Sequence, residues 1–143
     1  MRIAVKEVGK ALQIVETSEK YRTKAVQVYT DKHSNDLVEF VRLTDNQTFA
    51  MGVNEEGMLF DLPVNFLMSM NNHMLPIHEI YGTAVFVRSK YANPFVEEIY
   101  DYEVEDLTDA DIEFIQNEIL NEDIQRKLRE RYVPSPAMRF FTW

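Results

Sequence analysis

Cysteine is absent from this chain of 143 residues. A disulfide scaffold and a thiolate metal site are thereby excluded. Glycine is scarce: only Gly9, Gly52, Gly57 and Gly82 occur. None sits in a phosphate-cradling loop or a dinucleotide fingerprint. No apolar run approaches the roughly 20 residues of a membrane-spanning helix. The opening Met-Arg-Ile-Ala-Val-Lys-Glu returns to charge too soon for a signal peptide, so a cytoplasmic protein is expected. The Gly-x-Ser-x-Gly elbow of serine hydrolases is missing. Three histidines are present, His33, His73 and His78. The last two are five apart, which does not put them on one helix face as a zinc-binding pair requires. They read as ordinary loop or surface residues, and neither a metal nor another cofactor is expected.

Basic residues are missing from one long stretch. Between Glu97 and Gln125 there are twelve Asp and Glu and no Lys or Arg. The rest of the chain holds twelve acidic and fifteen basic residues, so the net charge of -9 is concentrated in one region. Such an excess repels nucleic acid unless a basic face is segregated from it. No direct binding of DNA or RNA is expected. The stretch reads either as a solvated surface or as an acidic face for a basic partner, with Glu97, Glu98, Asp101, Glu103, Glu105, Asp106, Asp109 and Asp111 as the candidate residues.

Hydrophobic residues make up 45% of the chain, enough for one ordinary domain. Arg2 to Lys6 and Ala11 to Glu16 alternate polar and apolar around Gly9-Lys10, the pattern of a hairpin. Thr17 to Thr23 reads as a loop or one helical turn, and Ala25 to Tyr29 as a further strand. Leu37 to Leu43 and Thr48 to Val53, either side of Asp45-Asn46-Gln47, read as a second hairpin. Pro63 keeps Met58 to Phe66 out of a sheet centre, and Leu67 to Pro76 reads as a loop or irregular helix. Ile80 to Val87 is the strongest strand, apolar enough for burial on both faces. Phe95 to Val104 is a weaker one. Thr108 with Asp111 three residues later forms a variant capping box. Ile112, Ile115, Ile119, Ile124 and Leu128 then make a stripe, predicting one helix over 109–131. Pro134 stops it. The expected fold is α+β: a mostly antiparallel sheet of five to seven strands with one long C-terminal helix packed on it. Residues 1–133 form the domain and 134–143 an aromatic tail.

Carboxylate pairs could serve acid–base chemistry, but in so acidic a segment they arise by composition alone. No catalytic residue stands out, and the chain is not expected to be an enzyme. Arg42, Arg88 and Lys90, with Tyr81, could together bind a nucleotide, or could lie on a solvated edge. Phe140, Phe141 and Trp143 of the tail are apolar enough to seek burial. They pack on the chain's own core, on a second subunit or on another protein, and a homodimer contact is expected ahead of a foreign partner in the isolated protein.

Asn54-Glu55-Glu56-Gly57, followed by Leu59, Leu62-Pro63 and Asn65, resembles a family of small phage and mobile-element proteins of Gram-positive bacteria, the domain of unknown function thirty-eight forty-six. That family has an Asn-Glu-Glu-Gly turn before a Leu-Pro-x-Asn element. Its Gly-Thr strand is matched by Ile80 to Val87, and its Leu-Thr-Asp helix opening by Leu107-Thr108-Asp109. Glu7-Val8-Gly9-Lys10 sits at its Gly-Lys turn. The resemblance runs over residues 1 to 118. Arg22-Thr23-Lys24 replaces a glycine pair common in the family, and 67–76 and 119–143 are particular to this chain. The resemblance implies an accessory protein in the cytoplasm of a bacterial host. The expected function is a counter-defence inhibitor that binds a basic surface of a host nuclease, a CRISPR effector or a restriction enzyme. The alternative is a binder that sequesters a small nucleotide signal of a host defence system.

Overall fold

The computed structural model describes residues 1–30, 38–43, 48–55, 62–69, 76–91 and 102–132. The alternation at the start of the chain produces β1 (Arg2–Lys6) and β2 (Gln13–Glu16), paired antiparallel from Arg2 opposite Glu16 to Val5 opposite Gln13. Gly9, at φ 74°, takes the left-handed turn between them that a side chain would resist. The second expected hairpin is also present as β3 (Val38–Arg42) and β4 (Phe49–Asn54).

The segment after β2 departs from expectation. Ala25 to Tyr29 is not a strand but the middle of a helix, α1 (Arg22–Thr30). Its β-branched residues imitate strand alternation. In the helix, however, Ala25 and Val26 are buried together while Val28 points to solvent, as one face of a 3.6-residue period demands.

Ile80 to Val87 does not run as one strand. It divides into β6 (Ile77–Tyr81) and β7 (Ala84–Tyr91), which lie in different sheets. Gly82 makes the break at φ 70°, with its N–H donating to the Pro63 carbonyl at 2.8 Å. Leu67 is likewise no loop residue, because β5 (Val64–Ser69) pairs antiparallel with β6. Pro63 precedes β5 in this two-stranded sheet, where it costs no ladder bond. Among the described residues the main sheet has six strands. Its order is β2-β1-β7-β4-β3, with β8 (Tyr102–Glu105) paired to the C-terminal half of β7.

The expected long C-terminal helix is three pieces: α2 (Asp109–Phe114), a π-helical turn (Ile115–Ile119) and α3 (Glu122–Arg131). The Leu120 N–H reaches back five residues to the Ile115 carbonyl at 2.8 Å. Asn121 then leaves helical geometry and caps α3, its Oδ1 accepting from Asp123 N and Ile124 N at 2.9 and 3.3 Å. The five-residue step from Ile119 to Ile124 in the apolar stripe marks this interruption.

β7 is the central strand, and it is buried on both faces as its apolarity predicts. Val85 and Val87 face α1 in a cluster with Ile3, Val5, Ala25, Val26 and Val104. Ala84 and Phe86 face the other way, into a core with Phe49, Met51, Phe66, Ile80, Ile115 and Ile119. The sheet therefore has α1 on one face. On the other lies a layer made of the β5–β6 hairpin and the C-terminal helices.

Candidate partner-binding face

The acidic candidates separate into two sets once folded. Asp111 turns inward. Its carboxylate takes Arg88 Nε and Nη2, both at 2.7 Å, and also accepts the Thr108 N–H at 2.9 Å. Burial alone would raise its pKa, but the Arg88 and Thr108 hydrogen bonds and the Arg88 charge outweigh burial and hold it below the usual aspartate value. Thr108 Oγ1 accepts from Asp111 N at 3.0 Å, which completes the expected capping box. Glu103 is half-buried between Lys20 and Lys90, at 3.7 and 3.3 Å, and Glu105 lies half-buried opposite Arg88 on β8.

Asp106 and Asp109 turn outward. Asp106 Oδ1 accepts the Arg2 N–H at 2.6 Å, and Asp109 meets the Arg2 guanidinium at 3.4 Å while its side chain stays 91% exposed. Glu113, one turn beyond Asp109, is exposed, and so are Gln116, Asn117 and Glu118 across the π turn. Neither Glu113 nor Glu118 forms an ion pair with a described residue. On α3 the pattern changes, because Asp123 pairs with Arg126 and Glu122 with Arg129, at 3.4 and 2.8 Å. The exposed acids thus run from Asp106 to Glu118, and of these Asp109 alone forms an ion pair with a described residue, Arg2. Glu113 and Glu118 belong to this strip, beyond the more N-terminal acids that the sequence pattern points to. Glu97, Glu98 and Asp101 lie outside the described residues, as do Phe140, Phe141 and Trp143 of the tail.

Arg42, Arg88, Lys90 and Tyr81 do not converge. Arg88 is committed to Asp111 and Lys90 to Glu103. Arg42 falls on the α1 side of the sheet, in register with Ala50 and Val87. Tyr81 belongs to the two-stranded sheet. Its hydroxyl and that of Tyr132 converge on Glu79, which lies two residues before Tyr81 on β6. Both tyrosine pKa values are pushed up, first by burial and then by the Glu79 carboxylate.

Several polar links have no local sequence signal. The buried Gln125 side chain behaves as a piece of β-strand: its Oε1 accepts Leu67 N at 3.0 Å, and its Nε2 donates to the Leu67 carbonyl at 2.8 Å and the Ile119 carbonyl at 2.7 Å. Asn65 Nδ2 donates to the carbonyls of Lys6 and Gly82, and its Oδ1 accepts from Lys6 Nζ at 3.0 Å. Burial lowers the Lys6 pKa. The Arg22 guanidinium is clamped between the rings of Phe40 and Tyr102, 4.1 and 4.0 Å from their centroids, a cation–π sandwich.

Among the described residues no three His, Asp or Glu side chains cluster as a metal site. A cavity of about 170 Å³ lies among Val8, Thr30, Asn54, Leu62, Pro63 and Gly82, below the volume of most ligand pockets, which start at about 300 Å³. No described helix is long and apolar enough to cross a membrane. Comparisons with protein-family models, curated proteins and solved structures gave no match for this chain.

Proposed function

We propose that this chain is a non-enzymatic accessory protein that occupies a basic surface on another protein. In the phage or mobile-element setting implied by its Asn54 to Asn65 and Ile80 to Val87 motifs, that partner is a host defence nuclease, a CRISPR effector or a restriction enzyme. The observation that carries the reading is the strip Asp106, Asp109, Glu113 and Glu118, exposed on a stretch without a single basic side chain. Carboxylates arrayed on a surface offer a nucleic-acid-binding groove the charge it is built to receive. Internal ion pairs neutralise the acids on either side of the strip, which leaves the charge concentrated where a partner can reach it.

The test is nuclease inhibition. The purified protein is added to DNA-cleavage assays with a panel of CRISPR effectors and restriction enzymes from Gram-positive hosts. Inhibition of at least one nuclease is expected, steeply weakened by salt because each carboxylate replaces a phosphate contact. The double variant Glu113→Gln/Glu118→Gln should inhibit poorly while melting at the wild-type temperature, since both side chains are exposed. A panel left untouched, or inhibition that survives the double variant, refutes the proposal.

A further inference from the structure

The strand edges of this protein are treated unequally. The outer side of β8 is covered by the chain itself, with Val104 N donating to the Lys20 carbonyl at 2.8 Å and Tyr21 bridging to Glu103. The outer side of β5 is filled at Leu67 by the Gln125 amide. β3 carries exposed Glu39 and Arg42 on opposite faces, charges of the kind that discourage edge-to-edge pairing. Among the described residues β2 has neither a covering segment nor an amide filling its outer side, and its one charged side chain, Glu16, stands at its end. β2 ends the six-stranded sheet, and Ile14 at its centre is 42% exposed.

The hydrogen-bond phase shows which peptide groups β2 leaves open. Met1 and Thr17 exchange both bonds at 2.8 Å. In an antiparallel ladder such pairs alternate with pairs that exchange none. Ile3 with Val15 and Val5 with Gln13 are therefore the bonded pairs, and the N–H and C=O of Ile14 and Glu16 point away from β1.

We propose that this edge takes a second copy of the same chain, antiparallel about a two-fold axis at Gln13, so that one sheet continues through both copies. Two chains of net charge -9 repel at long range, so a self-contact needs a surface on which both signs are balanced. The β2 edge is such a surface, with Lys10 before the strand and Glu16 at its end. An axis at Gln13 sets Lys10 of each copy against Glu16 of the other, and Leu12 of each against Ile14 of the other. Parallel pairing would set like charges together. Both present ion pairs lie at the surface, Lys10 with the half-buried Glu7 and Glu16 with the terminal amino group, and surface pairs exchange at little cost. The surface is small, so the dimer is concentration-dependent.

Sedimentation velocity over a concentration series tests this. The wild-type mass is expected to rise toward two chains with concentration, and Ile14→Lys should stay monomeric. Lys10→Glu and Glu16→Lys should each self-associate roughly tenfold more weakly, since two opposite-charge contacts become like-charge ones. An equimolar mixture of those two variants should dimerise again, because each then carries one sign at both ends and the signs are opposite. The charge variants do not depend on how Ile14→Lys folds. A wild type that is monomeric throughout, a dimer untouched by Ile14→Lys, or a mixture that associates no better than its components would each overturn the proposal.

Discussion

The two faces of the main sheet are covered by different means. On one, a single nine-residue helix lies on small aliphatic side chains, and Arg22 at its margin brings a charge to the contact. On the other, a hairpin, two short helices and a π turn share an aromatic and methionine-rich core. That core is crossed by the Arg88–Asp111 pair and by the Gln125 and Asn65 amides. The difference follows from the parts. Hydrophobic contact is strong but has no direction. One helix on a sheet can find its seat by shape, and here the seat is Gly52 beneath Val26. Several short pieces, each marginal alone, need directional bonds to fix how they sit together. The π turn and the Gln125 amide meet at the Ile119 carbonyl, where the break between the helices would otherwise leave a backbone group unsatisfied.

The comparison is best broken at Asp111. Its loss leaves the Arg88 guanidinium without its partner and opens the cap of α2. Asp111→Ala should cost about 2–3 kcal/mol, less than a fully buried pair because the Arg88 side chain keeps 24% of its exposure. A denaturant titration measures it. The link also predicts a pH dependence. A carboxyl whose pKa is lower folded than unfolded stabilises the protein above the unfolded value, near 3.9, and the benefit is lost as pH falls through the folded value. Wild-type stability should therefore drop more steeply below about pH 4 than that of Asp111→Ala. Parallel curves would mean that apolar burial alone holds this face.

The opposite face is probed at Gly52. A Cβ there would lie 2.7 and 2.8 Å from the two methyl carbons of Val26 and 3.1 Å from Phe40 Cε1. Gly52→Ala should cost about 1–3 kcal/mol as overpacking, with no change in acid sensitivity. Adding Val26→Ala makes room for the new methyl, so the double variant should lose less than the sum of the two singles. Strict additivity in thermal melts would show that the helix simply shifts, and that its seat is not specified by shape.

Local signals were readable in the sequence, and relations between distant segments were not. The β1–β2 and β3–β4 hairpins, the burial of Val85 and Val87 and the Thr108 capping box all lie within a few residues of their cause. The errors have physical reasons. Val26, Val28 and Tyr29 favour strands intrinsically, but burial on Gly52 selected a helix, as tertiary contact overrides propensity. Ile80 to Val87 reads as a single apolar run because both halves are buried. Only Gly82 betrays the turn, and a lone glycine inside a strand pattern signals a bulge or close approach as readily as a break. The five-residue step from Ile119 to Ile124 was visible, yet a stripe of isoleucines does not reveal that an amide six residues after Ile119 completes the missing hydrogen bond. For the candidate face, the absence of Lys and Arg was legible. Which acids stay free was not, because Asp111 and Glu103 meet Arg88 and Lys90 of β7, 23 and 13 residues earlier in the chain, and Glu103 also meets the still more distant Lys20.

The finest test of the comparison is Thr108. It is exposed and packs in neither core, so its contribution is the cap alone. Thr108→Ala should cost about 1 kcal/mol and Thr108→Ser close to nothing, because serine keeps the acceptor for Asp111 N. The same substitution also tests whether the cap and the ion pair act as one unit, since Asp111 Oδ2 receives both the Thr108 N–H and Arg88 Nε. If they are coupled, Thr108→Ala should cost less in the Asp111→Ala background than in the wild type, because the hydroxyl then serves an N–H at a helix start already loosened from the sheet. Equal costs in both backgrounds would show that the Arg88 link holds the layer without help from the cap, and that the two bonds merely share an atom.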